Sequence, residues 1–313
     1  MKRHGNLYQQ ICSLENLEAA DIIAQKGKSA QRGVIRHNRN RAANISALRD
    51  CLLSGDFKTS PYTTFKITDP KERIISRLPY CPDRIVHHAI MNVIKPVFLS
   101  VFTADTYNCI EGRGVHGAVV KIKTALRDEP QTRYCLKLDI RQFYPSVDHE
   151  ILKALLRRKF KDVELLSLMD EIIDSTPGLP IGNYLSQYFA NFYLTYFDHW
   201  IKEVKGVKHY FRYADDLVIL GPDKAALHGL LEDIRYYLHT ELHLAVKPNS
   251  QVFPVAARGI DFLGYRFFHT HTLLRKRIKR GLLRSINCAA SLAAYKGWAK
   301  HCNSKNLLKK LIA

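Results

Sequence analysis

The feature that most constrains this chain is an apolar run broken by two adjacent carboxylates. Phe211, Tyr213, Leu217, Val218, Ile219 and Leu220 flank Asp215-Asp216. Such apolar shoulders read as strand, tight turn, strand, with both aspartates at the tip. Paired carboxylates repel each other unless a cation sits between them or their pKa values move. A solvent-exposed Asp-Asp turn is the alternative, since aspartate tolerates turn dihedrals, but few surface turns carry such shoulders. Tyr134 to Leu138 reads as a short buried strand, and it ends at a third carboxylate, Asp139.

Clustered aspartates are the expected ligands of magnesium, a hard cation that prefers oxygen. Two such ions serve phosphoryl transfer from a nucleoside triphosphate. One activates the attacking hydroxyl and the other neutralises the leaving pyrophosphate. The expected cofactor is two Mg2+ ions, with Mn2+ as a substitute. The charge balance agrees. The 48 Lys plus Arg exceed the 29 Asp plus Glu by 19, an excess that attracts polyanions through phosphate contacts. A basic protein resting on an anionic membrane surface is the blander alternative. Apolar residues make up 46% of 313, enough for a substantial core shared by several subdomains. No apolar stretch approaches a membrane span, and Met1-Lys2-Arg3-His4-Gly5 does not read as a signal peptide. The seven cysteines are scattered with no CxxC pair. That argues against a zinc knuckle or disulfide framework and for a reducing cytoplasm.

The chain up to about residue 57 reads as helical and basic. A cluster from Lys26 to Arg41 reads either as a solvated loop or as a phosphate-tracking surface. Thr63 to Leu78 alternates polar and apolar around Asp69-Pro70, which predicts a hairpin. Ile85, Ile90, Ile94 and Phe98 fall at helical spacing. A further helix is expected with Asp148 and Glu150 in its first turn and Arg157, Arg158 and Lys159 closing it. Tyr184 to Trp200 reads as one long aromatic helix. Leu227, Leu230, Leu231, Ile234 and Leu238 mark another helix, Ile260 to Phe268 a strand pair, and the tail from Arg275 a basic helix. The class is α+β, a mainly antiparallel sheet backed by helices.

The motifs themselves resemble those of reverse transcriptases. Phe211-Arg212-Tyr213-Ala214-Asp215-Asp216 looks like the YxDD box. Leu138-Asp139-Ile140-Arg141-Gln142-Phe143-Tyr144 resembles the palm motif with the first metal aspartate. Asp261-Phe262-Leu263-Gly264-Tyr265 resembles the primer grip. Lys71-Glu72-Arg73-Ile74-Ile75 with Asp83-Arg84-Ile85-Val86 resembles the fingers motif, and Glu111-Gly112-Arg113-Gly114 the second fingers motif. All of them follow the family order. The resemblance implies a right-hand polymerase: a basic helical extension over residues 1–60, fingers over 61–133, palm over 134–268 and a short helical thumb over 269–313. Gly178-Leu179-Pro180-Ile181-Gly182 and Ser186-Gln187 depart from the usual Gln-Gly and Ser-Pro, and are similar to reverse transcriptases of diversity-generating retroelements. That narrower resemblance implies a bacterial or phage enzyme that copies a template-repeat RNA into cDNA with frequent errors at template adenines. It also implies a small, basic, helical-bundle accessory variability protein as partner.

The resemblance assigns roles residue by residue. Asp139, Asp215 and Asp216 are expected to hold the metals, with the Ile140 carbonyl as a further ligand. Tyr144 matches the steric gate that excludes a ribose 2′-hydroxyl; a core aromatic is the alternative. Lys71 and Arg73 are expected to grip the incoming triphosphate, and Ile181 and Gln187 to contact the nucleotide. Ile181 offers only shape and apolar contact where glutamine would hydrogen-bond, so Ile181 and Arg73 are expected to loosen fidelity. Arg113, Leu263, Gly264, Tyr265, Arg275 and Lys276 are expected to face primer and template. The lysine that many such enzymes carry after the YxDD box is replaced by Ser250, with Lys247 three residues earlier. Group II intron or retron type reverse transcription and a non-catalytic nucleic-acid scaffold are the rival readings.

Overall fold

The structure, a computed structural model, describes residues 2–68, 72–284 and 288–306. Asp69, Pro70 and Lys71, expected to form a turn and part of a phosphate grip, lie outside the described residues. The fold is mixed helix and sheet, and its sheets are built from antiparallel strand pairs. No helix among the described residues is long and apolar enough to cross a membrane. The chain divides into two compact units.

The first unit comprises Met1–Phe102, Gln142–Tyr196 and Leu242–Leu244. It is mostly helical, because its apolar residues recur at helical spacing. Ile85–Leu99 buries Ile85, Val86, Ala89, Ile90, Ile94 and Phe98 and packs against Leu14–Gln25. His149–Arg157 forms where a helix is expected, but Asp148 stands before its first turn rather than in it. The Asp148 carboxylate caps it by accepting from the Glu150 and Ile151 amides at 2.9 and 3.1 Å. Strands β1 (Thr63–Ile67) and β2 (Arg73–Arg77) form the expected hairpin. Arg41, part of the basic cluster, donates through Nε to the fully buried Asp21 carboxylate at 2.6 Å.

The second unit comprises Thr103–Arg141, Phe197–Glu241 and Ala245–Ala313. Its main sheet has the order β4 (His209–Tyr213), β5 (Asp216–Gly221), β3 (Tyr134–Asp139), β6 (Gln251–Pro254), with β3 inserted between strands distant in sequence. Strand β5 is buried from Leu217 to Gly221, which explains its unbroken apolar sequence. A separate sheet of β7 (Ile260–Phe262), β8 (Tyr265–Phe267) and β9 (Thr272–Leu274) follows. One core joins Val119 and Ile122 of Val115–Ala125 with Val218, Phe211, Phe262 and Phe267 of the two sheets. β9 has only three residues and no alternation long enough to register as a strand in sequence.

One element differs from expectation. The aromatic stretch from Tyr184 to Trp200 is not a single helix. Tyr184–Tyr193 ends at Leu194, a short helix Thr195–His199 follows, and Trp200–Val204 winds as a wider π-turn. The Thr195 hydroxyl donates to the Asn191 carbonyl at 3.1 Å. That back-bond competes with the regular ladder at the break.

Candidate active site

The second unit brings the three aspartates together through its strand register. β3 and β5 pair so that Asp139 lies opposite Asp216. β4 and β5 are joined by the two-residue turn Ala214-Asp215, with Tyr213 opposite Asp216. Ala214 adopts a positive φ of 54°, the conformation that short hairpin turns demand and that a side chain resists. The Ile140 amide donates to the Asp215 carbonyl at 3.1 Å, which locks the turn against the end of β3. The Lys247 amide donates to the Asp139 carbonyl at 2.8 Å, and Ile140 bridges to Val246.

The electrostatics suit a cation. Oδ1 of Asp139 and Oδ1 of Asp216 are sealed from solvent. Each has an ammonium beside it: Lys247 Nζ pairs with Asp139, and Lys137 Nζ lies 3.5 Å from Asp216. Burial pushes the Asp216 carboxyl up to about 6. Lys137 opposes that rise, while the charges of Asp139 and Asp215 add to it. The three carboxylates therefore act on one another, and removing negative charge from Asp216 is one response to that repulsion. A divalent ion is the other. Among the described residues no three acidic, histidine or cysteine side chains already close on one ion position. The donor chemistry nevertheless fits a divalent cation: hard, buried carboxylate oxygens whose charge is partly balanced by the Lys247 and Lys137 ammonium groups.

Beneath the hairpin lies a pair that sequence reasoning missed. Arg212 and Asp198 are both fully buried. Arg212 Nε donates to Asp198 at 2.7 Å, Tyr210 donates at 2.6 Å and Thr106 at 3.1 Å. Arg212 Nη1 also donates to the Ala214 carbonyl at 3.2 Å, so the pair reaches the strained turn itself. The signal was an arginine in the middle of an apolar strand; its partner, fourteen residues away, carried none.

The hairpin after Gly259 places the candidate primer-facing residues. Leu263 and Gly264 form its turn, with φ of 49° and 83°, between Phe262 and Tyr265, which pair across it. Both positive values are the mark of a type I′ hairpin. A Cβ on Gly264 would meet Ile278 at 2.4 Å and Trp298 at 2.6 Å. Tyr265 stacks on Trp298 at 5.4 Å and donates to its carbonyl at 2.9 Å. The Arg275 amide donates to the Gly264 carbonyl at 2.8 Å. Arg275 also pairs with Asp261 and is exposed, as is Lys276, at the start of Lys276–Arg284. Arg113 donates a guanidinium N–H to the Thr103 carbonyl at 2.7 Å, which ties its own loop.

Arg73, Tyr144, Ile181 and Gln187 lie in the first unit. There the segment Gly178–Gly182 is held between two others. The Leu179 amide donates to the Tyr144 carbonyl at 2.8 Å, and the Ser76 amide donates to the Ile181 carbonyl at 2.8 Å. A Cβ on Gly178 would sit 2.6 Å from the Pro145 carbonyl oxygen, and one on Gly182 would sit 2.6 Å from that of Ser76. Glycine is required where these backbones touch. Tyr144, Ile181 and the strand bearing Arg73 thus form one local assembly. Ile181, Tyr144 and Gln187 are half-buried and Arg73 is exposed.

The family model described as "Reverse transcriptase (RNA-dependent DNA polymerase)" matches residues 66–267. Protein YkfC of Escherichia coli is 27% identical over 310 residues, covering 81% of this chain and 79% of its own. The group II intron-encoded protein LtrA of Lactococcus lactis is 19% identical, covering 69% of this chain and 48% of its own. Telomerase from Candida albicans, solved with a telomeric RNA fragment, shares the fold with a TM-score of 0.51 at 10% identity. That match covers 75% of this chain and 51% of the telomerase chain. The chain therefore spans about half the length of the intron protein and of the telomerase.

Proposed function

This chain belongs to the reverse transcriptase (RNA-dependent DNA polymerase) family, and on that premise we propose that it makes error-prone cDNA from a template-repeat RNA for sequence diversification. It is an RNA-directed DNA polymerase, and template RNA and nucleotide substrates follow from its family. The observation that supports catalysis is the register of Asp139 opposite Asp216 at the mouth of a buried hairpin. In this reading Asp139, Asp215 and Asp216, with the Ile140 carbonyl, hold two Mg2+ ions. When bound, those ions supply charge neutralisation for the attacking hydroxyl and the leaving pyrophosphate.

The remaining roles fall to the chain's own side chains. Arg73, with Lys71, binds the triphosphate by fixed positive charge. Tyr144 excludes a ribose 2′-hydroxyl by shape. Gln187 and Ile181 border the nucleotide, and Ile181 offers no hydrogen bond with which to reject a mismatch. Leu263, Gly264 and Tyr265 hold the primer end, while Arg113, Arg275 and Lys276 follow the duplex backbone. The second unit's sheets correspond to a palm and its last helices to a short thumb; the hairpin β1–β2 belongs to the fingers. A basic helical accessory protein is the expected partner, and a bacterial or phage cytoplasm the expected location.

What supports the mutagenic reading is Ile181 itself, fixed by its carbonyl to the strand that carries Arg73. The likeness to LtrA favours a second reading, faithful copying in a group II intron context. Sequencing cDNA made from a defined RNA template separates them. Errors concentrated at template adenine, reduced severalfold in Ile181→Asn, are expected. Equal error rates at all four template bases would leave the intron-type reading.

A further inference from the structure

Lys137 has no role in any motif above, yet its ammonium touches two separate parts of the second unit. It lies two residues before Asp139 on β3, so both side chains share one face of the sheet. Its Nζ is 3.5 Å from Asp216 Oδ1. The same Nζ donates a short hydrogen bond to the Asp261 carbonyl, and it lies 6.0 Å from the Phe262 ring centre. Asp261 and Phe262 belong to β7, and among the described residues the sheet of β7, β8 and β9 shares no strand pairing with the sheet that carries the aspartates.

Apolar packing joins the two sheets, but packing is non-directional and sets separation better than register. A hydrogen bond and an ion pair from one ammonium set both direction and distance. The turn is fixed from its other side as well. Arg275 Nε donates to the Asp261 carboxylate at 2.6 Å, and the Arg275 amide donates to Gly264 at 2.8 Å. Between these two attachments, Leu263 and Gly264 have little freedom to move relative to Asp216.

We propose that Lys137 is a positioning residue that fixes the Asp261–Gly264 turn to the Asp216 carboxylate, and so sets where a primer terminus rests relative to the catalytic aspartates. The inference depends on the primer-holding role given to that turn. Lys137 acts through Asp216 and the turn and does not itself contact nucleic acid. Neutral Lys137→Met removes both links. Lys137→Arg keeps the charge and the donors.

The test measures binding of a DNA primer annealed to an RNA template by fluorescence anisotropy, without metal or nucleotide, over a salt series. Steady-state extension is then measured with primer and nucleotide varied separately. Lys137→Met is expected to weaken duplex binding and raise the primer KM at least fivefold. Its nucleotide KM should stay within twofold, and Lys137→Arg should recover most of the loss. The slope of log affinity against log salt should match the wild type, because no phosphate contact is lost. Three results would overturn the proposal. One is a slope reduced by about one charge, which marks a direct phosphate contact. Another is primer and nucleotide KM rising together. The third is Lys137→Met binding and extending like the wild type. If Lys137→Met does not fold, Lys137→Gln, which also removes the charge, is measured in its place with the same expected and overturning results. A wild type that extends no primer sinks the polymerase reading, while an active wild type beside an unaffected Lys137→Met sinks only this inference.

Discussion

At the scale of single residues, the second unit is organised around charges that burial makes costly. Asp198 and Arg212 are removed from solvent, and Arg212, Tyr210 and Thr106 all donate to the Asp198 carboxylate. Breaking such a pair leaves an uncompensated buried charge, at about 3–5 kcal/mol. Asp198→Asn is therefore expected to lose roughly that much stability in chemical denaturation, with the loss reaching the Ala214 turn through Arg212. A change under about 1 kcal/mol would show the guanidinium finding other acceptors. The three candidate aspartates stood out in sequence because they interrupt or end apolar runs, where a charge has no packing reason to be. Arg212 interrupts the same run but reads as a spacer between motif residues. Lys137 was invisible for a different reason: in a strand that alternates faces, one lysine is indistinguishable from an ordinary solvent-facing side chain.

At the scale of elements, the sequence signals held where local chemistry decides the structure. The helix His149–Arg157, the β4–β5 turn and the antiparallel pairing of β1 and β2 each follow from residues within a few positions. They failed where the third dimension decides. The break at Leu194 depends on a hydroxyl back-bond, and β9 exists only because β8 offers it an edge. Helix Val163–Asp174 joins both kinds of cause. Its cap Asp162 accepts locally from Leu165 at 3.3 Å and distantly from Leu7 and Tyr8 at 2.6 and 3.0 Å. Burial pushes the Asp162 carboxyl up, but these backbone donors outweigh it and hold it below the usual carboxylate range. A depressed folded pKa stabilises fully above the unfolded value, near 3.9, and that stabilisation fades as pH falls through the folded value. The stability gap between wild type and Asp162→Asn should thus be constant from about pH 7 to 5 and shrink below about pH 4. Denaturation midpoints of both proteins across that range check it, and a gap that widens in acid would contradict the assignment.

At the scale of the whole molecule, the net charge of +19 and the family agree on a nucleic-acid substrate. Each compact unit holds its own share of the candidate machinery. One carries the three aspartates with the hairpin of Leu263 and Gly264; the other carries Tyr144, Ile181 and the strand of Arg73. Sequence order alone shows neither grouping, because each unit is assembled from three separated stretches of chain. The central claim is that Asp139, Asp215 and Asp216 form the metal-dependent centre of an RNA-directed DNA polymerase. Extension of a DNA primer on an RNA template, with magnesium titrated, tests it most directly. The wild type should make full-length cDNA only with the metal, and Asp216→Asn should lose at least a thousandfold in rate while keeping its fold by circular dichroism. Magnesium-independent extension, or an Asp216→Asn protein as active as the wild type, would contradict it.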